Sequence, residues 1–465
     1  MATNLRPIPD APTVPGTSNT VRSNLKWLYP GMRIKRWLLL IPLGMIPILL
    51  GVLVLVGLRA VDIHERMEVF LLERVGISPH VPAVYVPIGV FLILLGMAII
   101  LAAFALVNRA IVKAIAPESL QGLPDVLLRK VALSQGAKIV VLGGGTGLST
   151  LLRGLKQYSS NLTAVVTMTD DGGSSGLLQR QLVGGILPPG DIRNCLVALA
   201  DAEPRMQELF QYRFETRSNS DGLSGHSFGN LLIAAMADVT GDFERAVEET
   251  SSILNIRGRV LPTSVDSVVL VGELEDGTEV TGETTIASNP AAIRRIKLCP
   301  DAPKPLPKVI EAIRQAEILV MGPGSVFTSV IPNLLVREIA QAVAGSKALK
   351  VYVCNVMTQP GETDSYTASD HVRAIEEHVA PFLTPRQKIF DYVLVNSARP
   401  SDTALERYQN VGAEFVVPDV EKIVEMGYRP VKGSFVSERT VVRHDPERIA
   451  RAILRLYADR PFIGK

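Results

Sequence analysis

Glycine, acidic and hydroxyl residues cluster where predicted strands end, and the first cluster follows the apolar run "KIVVL". It consists of Gly143, Gly144, Gly145, Thr146 and Gly147, and a helical pattern, "LSTLLRGL", comes directly after it. Backbone N–H groups at the start of a helix bind anions, and glycine lets an anion approach them closely. The turn lacks the Gly-Lys-Ser/Thr of a P-loop, and leucine replaces the third glycine of a GxGxxG motif. We therefore expect this turn to bind a phosphate group.

A second glycine turn lies in "LVMGPGSVF", where Gly322, Gly324 and Ser325 follow another apolar run. Two anion-binding turns on one sheet favour a diphosphate, or a nucleotide together with a second substrate. The polar run "CNVMTQPGETDSYTASDHV" follows the next predicted strand and belongs to the same sheet edge. The sequence thus predicts a polar ligand site along this edge.

Two adjacent carboxylates, Asp170 and Asp171, follow the second predicted strand in "TMTDDGGSSG". Ligands of doubly wound sheets bind at this edge. The carboxylates have three candidate roles there: bonding a ribose, holding Mg²⁺ through water, or orienting a hydroxyl nucleophile. We predict Asp170 and Asp171 as metal ligands and, if the protein is a transferase, as its catalytic residues.

Two further glycine-rich helix starts carry polar side chains. In "PPGDIRN", Asp191 is placed to cap a helix whose first turn contains Arg193 and Asn194. An arginine at the positive end of a helix is unfavourable unless an anion lies nearby, so Arg193 is a candidate ligand-binding residue. In "GLSGHSFGN", His226 is a candidate proton donor or phosphate contact, with Asn230 in the same turn.

The elements that position these residues have the pattern of an α/β domain over 136–465. Continuous apolar, β-branched runs alternate with helical stretches, which is typical of a mostly parallel sheet with helices on both faces. The predicted strands are "KIVVLG", "LTAVVTM", "AEILVMG", "LKVYVCN" and "DYVLVN". Residues 267–286, "SVVLVGELEDGTEVTGETTI", alternate instead and predict a β-hairpin inserted into or lying beside the main sheet. The predicted fold is therefore Rossmann-like.

The first 135 residues have the pattern of a membrane anchor. Residues 1–24 are rich in Pro, Thr, Asn and Ser and predict a disordered tail. Two uncharged runs, 37–58 and 81–108, are each long enough to cross the hydrocarbon core as a helix. Lys and Arg flank the pair on its outer sides, which predicts that both ends are inside. Residues 25–135 are thus predicted as a two-span cell-membrane anchor with a linker to a cytoplasmic domain.

Composition argues against several other classes. The chain has 48 Lys+Arg and 46 Asp+Glu, and its net charge of +2 does not suggest a nucleic-acid partner. The three cysteines lie far apart and form no CxxC pair, which argues against a disulfide framework or a zinc site.

Together the motifs resemble the CofD-like superfamily and, within it, the YvcK-like branch of gluconeogenesis factors. The resemblance is carried by the first glycine turn and by "DDGGSSG", "PPGDIRN", "GHSFGNL", "RGRVLP", "GPGS", "CNVMTQPGET", "TASDHV" and "VVRHD". It runs in order through essentially all of 136–465. The membrane hairpin is a departure, because the familiar members are soluble.

The resemblance implies two contrasting functions. The YvcK-like branch is implicated in cell shape and envelope synthesis during gluconeogenic growth and is similar to a UDP-sugar sensor. The enzyme branch transfers a phospholactyl-type group from a guanosine diphosphate conjugate to a deazaflavin alcohol, with Mg²⁺. The resemblance places the acceptor alcohol near Asp170 and Asp171 and the phosphates at the two glycine turns. It also implies four nucleotide contacts, namely Asn194, Asn230, Tyr408 and Arg443.

We therefore predict a membrane-tethered, cytoplasm-facing nucleotide-sugar-binding regulator. The alternative is a transferase resembling the 2-phospho-L-lactate enzyme, which is weakened because both tryptophans precede the domain that would have to stack a deazaflavin. A third reading, an NAD-dependent oxidoreductase, rests only on the first glycine turn and the acid after the second strand. The sequence leaves open whether the protein is a homo-oligomer.

Overall fold

The computed structural model of the protein describes residues 35–56, 82–115, 123–181, 187–201, 204–214, 223–410, 412–437 and 442–460. The chain divides into two compact units, Met1–Leu127 and Leu128–Lys465, which are treated separately below. The predicted disordered tail and the predicted loop between the two spans lie outside the described residues.

The described residues of the first unit form helices α1 Lys35–Leu38, α2 Leu40–Val56 and α3 Pro82–Ile115. Helices α2 and α3 pack through glycines. A Cβ built on Gly51 would lie 2.6 Å from the carbonyl oxygen of Gly89, and one built on Gly44 would lie 2.9 Å from that of Gly96. Only glycine permits so close an approach of two helix backbones, which is a common way for membrane helices to associate. The outward faces expose large apolar side chains such as Leu49 and Phe91.

One helical segment among the described residues of this unit, Val86–Ala110, is long and apolar enough to cross a membrane. Helix α2 is apolar but has 17 residues. At 1.5 Å per residue it spans about 26 Å, less than the roughly 30 Å of a hydrocarbon core. A bent pair in the second unit, Val326–Leu335 with Arg337–Gly345, also has suitable composition, but most of its side chains are buried in that unit's core. The structure thus contains one candidate membrane helix, Val86–Ala110, which overlaps the predicted span at 81–108. Both membrane spans stay predictions.

Helix α4, Leu123–Ser134, leads into the second unit, whose helices and strands alternate along the chain. In chain order, the first helices after α4 are α5 Gly145–Leu155, α6 Gly173–Gln181, α7 Gly190–Leu199, α8 Pro204–Gln211, α9 Phe228–Thr240 and α10 Phe243–Leu254. The later helices are α11 Glu283–Ala287, α12 Pro307–Gln315, α13 Ile331–Leu335, α14 Arg337–Gly345, α15 Ala368–Val379, α16 Asp402–Gln409, α17 Val420–Glu425 and α18 Pro446–Ala458. A π-helical turn, Val326–Val330, precedes α13, and a 3₁₀ turn, Ala380–Phe382, follows α15.

The twelve described strands form three sheets. They are β1 Ile139–Gly143, β2 Leu162–Val166, β3 Arg259–Pro262, β4 Val269–Leu274, β5 Glu279–Thr281, β6 Ile293–Cys299, β7 Ile318–Met321, β8 Leu349–Val353, β9 Tyr392–Asn396, β10 Arg429–Gly433, β11 Val436–Ser437 and β12 Arg443–His444. The main sheet has seven strands in the order β10-β9-β8-β7-β1-β2-β3, all parallel. Apolar clusters cover both of its faces. The predicted parallel α/β sheet is confirmed.

The predicted β-hairpin is confirmed as strands β4 and β5, which pair antiparallel. Strand β6 joins them in a separate three-stranded sheet. Side chains of this small sheet and of helix α11, including Leu270, Ile286 and Ile296, belong to the apolar cluster that also contains Leu142 of the main sheet. The small sheet therefore packs against one face of the main sheet and carries α11 with it.

Strand β1 lies at the point where the strand order reverses. The chain runs from β1 to β2 and β3 on one side, and later returns to β7 and continues to β10 on the other. In open α/β sheets the loops at such a point diverge and leave a crevice outside the carboxyl ends of the strands. Both predicted glycine turns, after β1 and after β7, flank this crevice.

Candidate nucleotide-binding cleft

The two glycine turns are in direct backbone contact. A Cβ built on Gly147 would lie 2.7 Å from the carbonyl carbon of Pro323 and 3.0 Å from the nitrogen of Gly324. The backbone at Gly145 and Gly322 has φ of 64° and 74°, the left-handed region that glycine adopts without strain. The close contact at Gly147 and the positive φ at Gly145 and Gly322 therefore require glycine at these three positions.

The carboxylate of Asp191 already occupies part of the first turn. The Gly145 N–H donates a hydrogen bond of 2.6 Å to Asp191 Oδ2. The expectation that Asp191 caps its own helix was wrong, because α7 begins at Gly190 and its N-cap position is Pro189. Burial raises the pKa of Asp191 to about 6. A ligand phosphate is therefore directed to the other residues of the turn, Thr146 and Gly147.

Those two residues line a cleft of about 370 Å³ at the crevice. This volume is in the range of small-molecule sites. Residues from five separate parts of the chain meet in it, including Thr146, Gly147, Gly324, Ser325, Tyr408 and Arg443. The structure thus brings together the two predicted phosphate turns and the two nucleotide contacts implied near the C-terminus.

Side-chain hydrogen bonds fix the walls of the cleft. The Asn355 amide bonds both backbone groups of Gly324, accepting from its N–H at 3.2 Å and donating to its carbonyl at 2.8 Å. The Ser325 hydroxyl accepts from the N–H of Thr328 at 3.1 Å and donates to the carboxylate of Glu362. A site whose donors are held in place loses less entropy when a ligand binds.

Arg443 supplies a positive charge at the open side of the cleft. It lies on β12, which pairs with β11, and the Tyr408 hydroxyl donates to the carbonyl of the preceding residue, Val442, at 3.0 Å. Among the described residues Arg443 has no carboxylate partner within ion-pair distance. The neighbouring His444 does not add charge, because burial lowers its pKa to about 4. The guanidinium of Arg443 is therefore available to a phosphate group.

Four carboxyl groups, Asp170, Asp191, Glu283 and Glu362, lie close together behind the glycine turns. Burial is the main cause that raises the pKa of Glu283 to about 9, and the charges of Asp170, Asp191 and Glu362 add to it. Burial likewise raises the pKa of Glu362 to about 7. Carboxyl groups that keep or share protons near neutral pH are suited to general acid or base chemistry.

Asp171 plays a different part from Asp170. Its Oδ1 accepts from the backbone N–H and the hydroxyl of Thr284, at 2.9 and 2.7 Å. Asp171 thereby holds the first turn of α11 and positions Glu283 beside Asp170. Among the described residues no group of three or more His, Cys, Asp or Glu side chains is arranged to hold a metal ion. The Mg²⁺ site at Asp170 and Asp171 stays a prediction.

The other predicted ligand residues form a separate cluster at the first turns of α7 and α9. Arg193 donates to Ser227 Oγ at 2.5 Å and Asn230 Oδ1 at 3.1 Å, and to Asn194 Oδ1 at 2.9 Å. The ring of His226 lies 3.3 Å from Ser174 Oγ, measured from Nδ1. These residues do not line the cleft. Arg193 is buried among neutral acceptors, and burial lowers its pKa.

Two residues that hold the site were not expected from the sequence. The buried amide of Asn333 donates to the carbonyls of Gly143 and Ser329, at 3.1 and 2.8 Å, and accepts from the Thr263 hydroxyl. It thereby joins the ends of β1 and β3 to the π-helical turn. Its one sequence signal is that it is a lone amide in the apolar run "SVIPNLL". Glu283 carries no such signal, since the small sheet alone brings it to the site.

The substitution Glu283→Gln is expected to stabilise the protein at pH 8 and to change it little at pH 5. The folded protein keeps this proton up to a pKa of about 9, whereas the unfolded chain loses it near 4.5. Between those values the folded state binds more protons, so the free energy of unfolding falls as pH rises. Glutamine removes this dependence. Because Glu283 is half-buried, we expect a gain of about 1 kcal/mol at pH 8.

Urea unfolding at both pH values measures this difference. The exposed residue Glu425 offers a control, because Glu425→Gln changes the net charge without touching the carboxyl cluster. An equal pH dependence in the Glu283→Gln and unmodified proteins would contradict a protonated Glu283.

The sequence matches a known protein family across the described site. Residues 139–436 match the family model of the 2-phospho-L-lactate transferase CofD. A crystal structure of a protein from Bacillus halodurans superposes with a TM-score of 0.64 at 50% sequence identity, and covers 68% of this chain and 99% of that protein.

Curated relatives carry one common name. Gluconeogenesis factors from Halalkalibacterium halodurans and Bacillus subtilis are 51% and 47% identical and align with 68% and 70% of this chain, and with 95% and 99% of their own length. A Nostoc relative with the same name, given provisionally, is 46% identical over 95% of this chain and 94% of its own. With the parallel sheet and the glycine turns in place, these matches show that the chain belongs to the CofD-like superfamily, in the branch of the gluconeogenesis factors.

Proposed function

We propose that this protein binds a UDP-sugar and thereby regulates cell-envelope and central carbon metabolism, and with them cell shape. The ligand's diphosphate would lie against Thr146, Gly147 and Gly324, with Arg443 beside it. Binding rather than turnover is the proposed activity. The name of the relatives, gluconeogenesis factor, supports the link to carbon metabolism.

One observation carries the proposal: both glycine turns and Arg443 border a single cleft at the reversal point of the sheet. A diphosphate needs several N–H donors and a cation, and this cleft offers both. Tyr408 lines the same cleft and offers an aromatic face to a base or sugar. The four carboxyl groups described above lie behind the turns. None of the described residues that line the cleft is an Asp or a Glu.

Calorimetry on the full chain tests this proposal. UDP-N-acetylglucosamine, a guanosine diphosphate conjugate and NAD are each titrated with and without Mg²⁺. We expect tight, metal-independent binding of the UDP-sugar, with the ligand recovered intact. Preference for either other nucleotide, or no binding of any, would refute a UDP-sugar regulator.

The proposal includes a membrane tether formed by the N-terminal helices, with the nucleotide domain in the cytoplasm. The apolar segment Val86–Ala110 supports it. Two of the relatives align along nearly their whole length with only 68% and 70% of this chain, and the family match lies within 139–436. We infer that the nucleotide domain does not need the helices in order to fold.

Deleting residues 1–122 is expected to move the protein from the membrane fraction to the soluble fraction while leaving nucleotide binding unchanged. The truncation begins at α4, so that the contacts of α4 with the domain are kept. Fractionation followed by immunoblotting measures the distribution. A full-length chain recovered in the soluble fraction would show that the helices are not an anchor.

The second candidate function is a transferase that uses a nucleoside diphosphate conjugate. The specific observation in its favour is the group of carboxyls with raised pKa beside the glycine turns. In that reading Asp170 assists deprotonation of the acceptor alcohol or holds Mg²⁺. Acceptor-dependent consumption of the conjugate, abolished by Asp170→Asn, would establish this function in place of the first.

A further inference from the structure

A second cavity, of about 720 Å³, adjoins the nucleotide cleft. The two cavities share Thr150, Arg443 and His444. Together they form a continuous groove along one face of α5, from Thr146 to Gly154, and on to Gln157 beyond the end of the helix. The helical part alone extends about 12 Å. The groove therefore reaches well past the position of a diphosphate.

The far part of the groove, here named the arginine groove, is lined by three arginines from three separate elements: Arg129 of α4, Arg153 of α5 and Arg443 of β12. Burial and the positive charge of Arg443 lower the pKa of Arg153, so the two guanidinium groups interact. Arg129 donates to the neutral amide of Gln157 at 2.9 Å. Among the described residues none of the three forms an ion pair.

Two carboxylates also line the arginine groove, and both are engaged with other partners. Asp445 accepts from the first N–H groups of α18 at 3.0 Å and lies 3.7 Å from Arg448 Nε. Glu447 pairs with Arg451 at 3.0 Å. His444 is neutral because burial lowers its pKa. Arg153 and Arg443 therefore repel each other, and neither forms an ion pair with a described carboxylate. An anionic ligand would relieve this repulsion.

We propose that the arginine groove binds an acidic group attached to the sugar of the nucleotide ligand, so that the preferred ligand is a nucleoside diphosphate sugar bearing a carboxylate or phosphate. This inference rests on the proposed function. It adds that the ligand extends along α5 beyond the diphosphate. An attached group is favoured over a separate anion because the two cavities are continuous and share Arg443.

The test compares UDP-N-acetylmuramic acid with UDP-N-acetylglucosamine, which differ by one carboxylate-bearing ether. We expect the full chain to bind the acidic compound about tenfold more tightly at low salt, because a charge-assisted hydrogen bond in a partly buried groove contributes this much. In Arg153→Gln the ratio of the two affinities is expected to fall towards one. In the control Arg455→Gln, which alters an exposed arginine at the other end of α18, the ratio is expected to persist.

The other outcomes have distinct meanings. If both compounds bind equally, or if Arg153→Gln keeps the tenfold preference, the inference is wrong while the proposed function stands. A third outcome is that inorganic phosphate binds to the full chain, that Arg153→Gln abolishes this binding, and that the acidic sugar is not preferred. The groove then binds a separate anion, and the inference is again overturned. If neither UDP compound binds, the proposed function fails and the inference fails with it. Thermal unfolding confirms that each variant is folded.

Discussion

Replacement of Arg443 by alanine is expected to weaken binding of a UDP-sugar by about 30-fold. The guanidinium lines the cleft that contains Gly147 and Gly324, and no described carboxylate neutralises it. A charge-assisted hydrogen bond to a phosphate contributes about 2 kcal/mol, which corresponds to this loss. Calorimetry at constant ionic strength measures the change.

Arg443→Ala is expected to leave the stability of the protein almost unchanged, because the side chain is exposed and pairs with no described carboxylate. Arg455→Ala is a matched control that removes an exposed arginine outside the cleft. Arg443→Lys should restore part of the affinity, since lysine keeps the charge but loses the bidentate geometry. An unchanged affinity in Arg443→Ala would show that the diphosphate does not bind beside Arg443.

The substitution Gly154→Ala is expected to reduce the free energy of unfolding by about 2 kcal/mol. In an open helix the change would stabilise, because glycine in a helix interior costs about 1 kcal/mol relative to alanine. Here a Cβ would overlap the carbonyl oxygen of Pro446 and lie 2.6 Å from its carbonyl carbon and 3.1 Å from the Cβ of Ala450. The two helices must separate, and overpacking of this kind costs about 1–3 kcal/mol. Because the clash is with backbone atoms we take the upper end, and the gain of about 1 kcal/mol in helix propensity then leaves the expected net loss.

Gly345→Ala provides the opposite case within the same protein. Gly345 ends α14, and a Cβ there would meet nothing within 4 Å. It should stabilise the protein by up to about 1 kcal/mol through the lower entropy of the unfolded chain. Urea unfolding of the two variants measures both effects. Similar stability changes in both would show that the contact between α5 and α18 is not tight.

The sequence patterns identified most of the main sheet. Strands β1, β2, β7, β8 and β9 were predicted, because each is a continuous apolar run and both faces of a parallel sheet are buried. Strands β3 and β10, "RVLP" and "RPVKG", were not. Each carries one or more charged residues and a proline that break the apolar run, and the edge strand β10 is only partly buried. Their pairing depends on neighbours that are distant in sequence.

The glycine turns were predictable because local backbone geometry and helix-terminus electrostatics depend on adjacent residues. Gly143–Gly147 and Gly322–Ser325 each stand between a strand and a helical element, and the structure confirms both positions. The different environments of Asp170 and Asp171 were not predictable. Whether a carboxylate caps a distant helix or faces other acids depends on which segment folds over it.

By itself, the sequence determined the α/β class, the positions of both phosphate-type turns, the hairpin and an apolar helix near the N-terminus, because each depends on patterns within a few residues. Only the tertiary structure decided which of these elements meet. It joined the two turns through Gly147, separated Arg193 from the cleft, and brought Glu283 to Asp170 and Arg153 to Arg443. Contacts of this kind depend on strand order and on the packing of segments far apart in the chain, which local patterns do not encode.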